Sequence, residues 1–278
     1  MRKPPLTWIL IFLLLASPLL CAETPEPLPP LPPGPLLLTS VKQEQLSPDY
    51  WIKRLPDPDR VLMTPDQLRE FNGHLLSMIG DRVDIFKMEK SRPGGRIRGL
   101  LKSEYETVKK RILFGVDDQL IPKSLFEETI QPVMAWEKVP EKIRLRWGAA
   151  VRPASVRAIP TQVKMLEEKG DIEFDQLQYT LIKLWTPVAI FHESSDGKWY
   201  YIQAPYSRGW VRSNQIALFE KRGDLEALLK GPFLTVTGAH ADIYSDSALS
   251  SFAVSVSMGT LLPLSGKTAG TYTIELPA

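Results

Sequence analysis

Few residues in this sequence carry side chains suited to nucleophilic or metal-binding chemistry. The single cysteine, Cys21, stands just after the apolar run LTWILIFLLL of residues 6–15. A thiolate is a nucleophile and a site of acylation, but after Cys21 the chain offers no thiol at all and so no internal disulfide. The three histidines, His74, His192 and His240, fall in three separate segments without the close spacing of a zinc site. His192 sits in a strand-like run and reads as structural. No G-x-S-x-G elbow occurs that would mark a serine nucleophile. No catalytic residue, cofactor or metal is assigned.

The elements that would hold such residues change character along the chain. After the basic start Met1-Arg2-Lys3, the mainly apolar run of residues 6–15 is too short to span a bilayer, which takes about 20 residues, and the segment reads as a signal peptide over 1–22. Two processing routes compete: lipoprotein cleavage, leaving Cys21 as an acylated membrane anchor, or ordinary cleavage after Ala22, discarding Cys21 with the leader. Either predicts export to the periplasm or cell envelope. Residues 23–40 contain ETPEPLPPLPPGPL, a tract stiffened by fixed φ angles that serves as an extended spacer.

From 41 to 140 the periodicity is helical. Ser47-Pro48-Asp49 and Thr64-Pro65-Asp66-Gln67 each put a capping hydroxyl before a proline at the first helical position, and Gln67 completes a capping box with Thr64. Leu68, Phe71, Leu75 and Met78 then follow the helical repeat up to Gly80, a C-cap candidate. Beyond the break at Arg92-Pro93-Gly94-Gly95, the residues Leu100, Leu101, Tyr105, Val108, Ile112 and Leu113 form a second stripe. Pro122 and Ser124 start a third helix. The Lys109-Lys110-Arg111 run reads as a solvated helix face.

From about Ile143 the pattern turns to short strands, expected at 181–184, 187–192, 199–204 and 209–211, with Ser194-Ser195-Asp196-Gly197 as a hairpin turn. Trp199 and Trp210 read as barrel core, and Gly209 as the residue that turns the chain before a strand. After a break at 220–224 and a helical turn at 225–229, strands resume at 233–236, 241–244, 252–257 and 261–264. The fold class is α+β: a helical region, a first small SH3-like barrel over 141–219, and a second over 220–278, either closed or cut short. With 34 Lys plus Arg against 32 Asp plus Glu, no single-sign field points to nucleic acid.

Three blocks carry a resemblance. RWGAAVRPASVRAIPT (146–161) with FDQLQYTLIKLWTPVAIFHESSDGKWYYIQAPYSRGWV (174–211) resembles the first SH3-like domain of NlpC-type cell-wall cysteine endopeptidases. SPDYWIKRLPDPDRVLMTPDQLREFN (47–72) resembles the stabilising region that precedes it. FLTVTGAHADIYSD (233–246) with SMGTLLPLSG (257–266) resembles the second SH3-like domain.

Members of that family continue into a papain-like domain whose cysteine cleaves a γ-D-glutamyl bond, and these residues supply no such nucleophile. The resemblance therefore implies a non-catalytic part: a region that binds wall stem peptide and fences the active site of an NlpC-type catalytic domain in cis or in trans, the chain being a fragment or split product. A stand-alone periplasmic peptide-binding adaptor is the alternative. The resemblance also implies that an acidic group and a tyrosine of the first SH3-like domain hold the free amine of the stem peptide. Asp175 and Tyr206 are the nearest matches, set against turn capping for Asp175 and an exposed loop aromatic for Tyr206.

Overall fold

Strand residues of the central region are apolar on both sides, and that decides the architecture. In the computed structural model, which describes residues 8–12, 40–79, 82–268 and 271–277, seven antiparallel strands form one curled sheet in the order β10-β4-β7-β8-β9-β5-β6. They are β4 (Arg146–Ala150), β5 (Ala154–Arg157), β6 (Gln178–Ile182), β7 (Pro187–Glu193), β8 (Trp199–Ala204), β9 (Ser207–Arg212) and β10 (Ile216–Phe219). Successive strand residues face opposite sides. Val188, Ile190, Ile202, Ala204 and Val211 pack with Val156 and Ile216 into the barrel interior. Their neighbours Ala189, Phe191, Trp199, Tyr201 and Trp210 point outward into a second core shared with the helices. Every residue of β8 is thus buried, the polar Gln203 included, because neither face meets water.

The helices supply the other half of that core. α3 (Gly94–Lys109) buries Ile97, Leu101, Tyr105 and Val108 along one stripe. The expected stripe runs on to Ile112 and Leu113, but the helix ends at Lys109; beyond it Ile112 is exposed while Leu113 is buried. Before α3, β2 (Ser91–Pro93) pairs with β3 (Lys142–Arg144). Gly94 is needed there, because a Cβ would fall 1.6 Å from the Pro140 carbonyl oxygen. The helix expected from Pro122 and Ser124 forms as a π-helical turn, Leu125–Ile130, running into α4 (Gln131–Met134) and closed by Ala135 in the left-handed region.

The C-terminal region is β-rich. α5 spans Arg222–Lys230, so the expected break at 220–224 includes its first turn. β11 (Phe233–Thr235), β14 (Leu261–Thr268) and β15 (Thr271–Glu275) form a sheet, beside the hairpin of β12 (His240–Tyr244) and β13 (Phe252–Ser257). Ile243, Val256, Leu262 and Ile274 share a core with Ala149, Leu184 and Trp185 of the first β region. The Trp185 indole donates to the Glu275 carbonyl across that seam, 2.8 Å. The outer edge of β15 pairs with β1 (Trp8–Phe12), from the apolar N-terminal run. The rest of the expected leader, Cys21 with it, the Pro-dense tract and the Gly80 cap lie outside the described residues.

Residues 1–15 and 76–278 belong to one compact unit, and 16–75 to another. In the second unit, α1 (Pro48–Ile52) has Ser47 accepting from the Asp49 amide at its start. α2 (Pro65–Met78) opens with both arms of the capping box: the Gln67 amide donates to Thr64 Oγ1 and the Thr64 amide to Gln67 Oε1. Local chemistry sets these helices, yet α1 buries no residue. Trp51, Leu55, Val61, Leu62, Leu68 and Phe71 are all exposed, Leu62 by 83%.

Candidate functional site

Asp175 lies in the loop that leads into β6, and its carboxylate is fully engaged by the protein. One oxygen accepts from the Leu177 and Met165 amides at 3.1 and 3.3 Å; the other is 2.7 Å from Arg157 Nη1. The two side chains are 9% and 12% exposed, so this ion pair is almost buried. Arg157 ends β5 opposite Trp210 and also donates to the Val163 carbonyl at 3.0 Å. Asp175 caps its own turn and serves as counter-ion to Arg157. Its outer side still lines a shallow cavity of about 450 Å3 with Lys164, Glu173, Phe174, Gln176 and Gln178. Phe174 and Ile172 in that loop are well exposed.

Tyr206 occupies the two-residue turn between β8 and β9, closed by the Ala204–Ser207 pair, and is 41% exposed. The turn is braced from both sides. Gln203 Nε2 donates to the Ala204 and Ser207 carbonyls, and the Val83 amide to the Pro205 carbonyl at 2.9 Å. Four strand positions separate Tyr206 from Trp210, the residue opposite Arg157. At about 3.3 Å per residue that is roughly 13 Å along the sheet. The two residues thus flank β9 at different heights, with Tyr206 open to solvent and Asp175 held back by Arg157.

Behind the turn, the helices and the barrel are joined by a polar cluster within apolar packing. Tyr201, fully buried, donates to Glu104 Oε1 at 2.8 Å, and Arg208 Nε reaches the Tyr201 oxygen at 3.1 Å. Burial first, and then the Glu104 charge, push the Tyr201 hydroxyl well above the usual phenol range. It stays protonated and acts as a fixed donor. The Lys109-Lys110-Arg111 run is partly spent on contacts of the same kind: Lys109 pairs with Glu127 at 2.9 Å and Arg111 donates to Gln176 Oε1 at 2.6 Å. Arg111 thereby steadies the residue next to Asp175.

The histidines stay apart. His192 Nε2 is 2.8 Å from the Met134 carbonyl, and its ring meets the edge of Trp210. Burial lowers its pKa. Among the described residues no group of three His, Cys, Asp or Glu side chains could hold a metal ion. Trp199 and Trp210 are core, 4% and 0% exposed. Gly209 differs from expectation. It lies inside β9 and lets the strand approach β5, where a Cβ would stand 2.6 Å from the Arg157 carbonyl oxygen. Asp196 accepts from Ser194 Oγ and the Lys198 amide, while Gly197 takes φ 68°. That is turn chemistry.

Arg157 is the residue that sequence reasoning missed. A nearly buried carboxylate needs a cationic partner, but nothing in spacing pointed to a residue 18 positions earlier.

Residues 164–212 match the family model of the SH3 domain of SH3b1 type, and that segment contains both Asp175 and Tyr206. No curated protein sequence matches the chain. One solved structure that matches is described as a novel NlpC/P60 endopeptidase from Photobacterium damselae subsp. piscicida, with a TM-score of 0.59 and 18% identity. The alignment covers 79% of this chain and 52% of that one. The chain thus spans about half the length of that protein, and the likeness is one of fold.

Proposed function

We propose that this chain is a non-catalytic recognition and stabilising region of an exported NlpC-type peptidoglycan hydrolase. It binds wall stem peptide through its SH3b1-type segment and fences the active site of a catalytic domain supplied in cis or in trans. The observation that carries this reading is the SH3b1-type segment set within a body that has the fold of about half an NlpC/P60 endopeptidase. Tyr206, exposed on a braced turn, is the substrate-binding residue open to a ligand in this reading, and Asp175, already paired with Arg157, joins it only through the side that lines the cavity beside β6.

The exposed apolar row of residues 51–71 supports the part that concerns a further domain. A stand-alone adaptor gains nothing from leaving Trp51, Leu62 and Phe71 in water, whereas a stabilising region needs such a surface for what it stabilises. Export rests on the leader, with Cys21 either acylated or discarded.

Sedimentation with purified peptidoglycan sacculi tests the reading. The chain is expected to pellet with intact sacculi and to be released by soluble stem peptide. Failure to pellet, or pelleting that excess stem peptide leaves unchanged, would contradict it.

A further inference from the structure

A broad cleft lies away from Asp175 and Tyr206, where three segments distant in sequence converge. The β2–β3 ribbon brings Lys90 and Arg144 to its mouth, with Ser91 opposite Arg144 and the Lys90 carbonyl accepting from the Leu145 amide at 2.9 Å. The β4–β10 pair, with Trp147 opposite Phe219, forms the apolar floor. The start of α5 brings Lys221 and Arg222 to the far wall. The cleft measures about 870 Å3, within the range that holds small ligands.

Its charge is uneven. Lys90, Arg144 and Lys221 are exposed and make no ion pair with any described residue. Arg222 donates to the Met88 carbonyl and stacks over Trp147 at 5.0 Å, contacts with neutral groups that leave its charge uncompensated. The other charges of the lining are largely spoken for: Arg146 pairs with Glu193, and Glu226 with Lys230. Among the described lining residues, Glu220 and Asp224 are the remaining carboxylates set against these four cations. Four positive side chains around one partly apolar floor, against two carboxylates, leave the lining net positive, which favours an anion placed among them.

We propose that this cleft is a second binding site, for an acidic peptide. Its carboxylates pair with Lys90, Arg144 and Lys221, while its carbon skeleton lies on Phe219 and the rim of Trp147. Glu220 and Asp224 favour this ligand over a dense phosphate chain. They repel an unbroken row of anionic charge, yet accept hydrogen bonds from the amides that separate the carboxylates of a peptide. The site shares no residue with the stem-peptide site above, so substitution separates the two readings: Lys90→Gln, Arg144→Gln and Lys221→Gln act on this one and Tyr206→Phe on the other.

Calorimetry on the full chain at low salt tests it, with triglutamate, tripolyphosphate and trilysine as probes. Triglutamate is expected to bind, more tightly than tripolyphosphate, and trilysine not at all. Each of Lys90→Gln, Arg144→Gln and Lys221→Gln is expected to weaken triglutamate about threefold, as loss of an exposed ion pair does, with the thermal midpoint unchanged. Glu220→Gln with Asp224→Asn is expected to tighten it. Absence of triglutamate binding, equal binding by the three cation variants, or a preference for tripolyphosphate would each overturn the proposal. Because these side chains are exposed, misfolding of the variants is not expected, and the thermal midpoint checks that point independently.

Discussion

The curled sheet and the helical segment 48–79 contain the same kinds of large apolar side chain and use them in opposite ways. In the sheet, Trp210, Tyr201 and Ile202 are all fully buried between the barrel interior and the helices. In the helical segment, Trp51, Leu62 and Met78 are each more than 45% exposed although the helices themselves are well capped. Capping chemistry decides whether a helix forms, and the surroundings decide what its apolar face touches. The difference teaches that capping alone forms a helix, while the sheet's apolar content also forms the core of its unit.

That contrast can be broken by substitution. Trp210→Ala is expected to have the largest effect, a loss of about 3–5 kcal/mol from the cavity it leaves between barrel and helices. Chemical denaturation would measure it, and a loss below about 1 kcal/mol would mean that the sheet is not the stabilising core. Asp175→Asn comes next, with a loss of about 3 kcal/mol, because it strands the Arg157 guanidinium in a nearly buried site. An unfolding midpoint at the wild-type value would mean that the ion pair is incidental to stability.

A pH titration sharpens the same comparison more gently. Burial lowers the His192 pKa below its ordinary value of 6.5, so the native state binds fewer protons than the unfolded chain. Stability is therefore expected to be intact above about pH 6.5 and to fall as the pH drops below it. Glu193, Arg146 and Lys138 are the charged groups that act on the ring. His192→Gln should flatten that slope, and an unchanged slope would assign it to other groups. The smallest effects are expected at Leu62→Ser and Phe71→Ser, each within about 0.5 kcal/mol, since neither side chain is covered. Losses above about 2 kcal/mol there would erase the distinction between the two regions.

What the sequence revealed follows the range of the interactions. The capping box of Thr64 and Gln67, the Asp196-Gly197 turn and the strands at 187–193 and 199–204 are set within a few residues and were legible. The α+β class followed from the same periodicities. The partner of Asp175 was not legible, because Arg157 reaches it only once β5, β6 and β9 lie side by side. Gly209 was read as a turn residue for the same reason. Its need for a missing Cβ comes from the Arg157 carbonyl on a neighbouring strand. The cationic cleft gathers Lys90, Arg144 and Lys221 from three segments, and no local pattern announces it.

Recognition of the free amine of a wall stem peptide by the SH3b1-type segment is the central claim, and calorimetric titration of L-Ala-γ-D-Glu-diaminopimelate into the full chain tests it most directly. The free tripeptide is expected to bind and its N-acetylated form to bind at least tenfold more weakly, with Tyr206→Phe weakening the free form while leaving the thermal midpoint unchanged. Equal binding of the free and acetylated tripeptides, or no binding of either, would contradict the account.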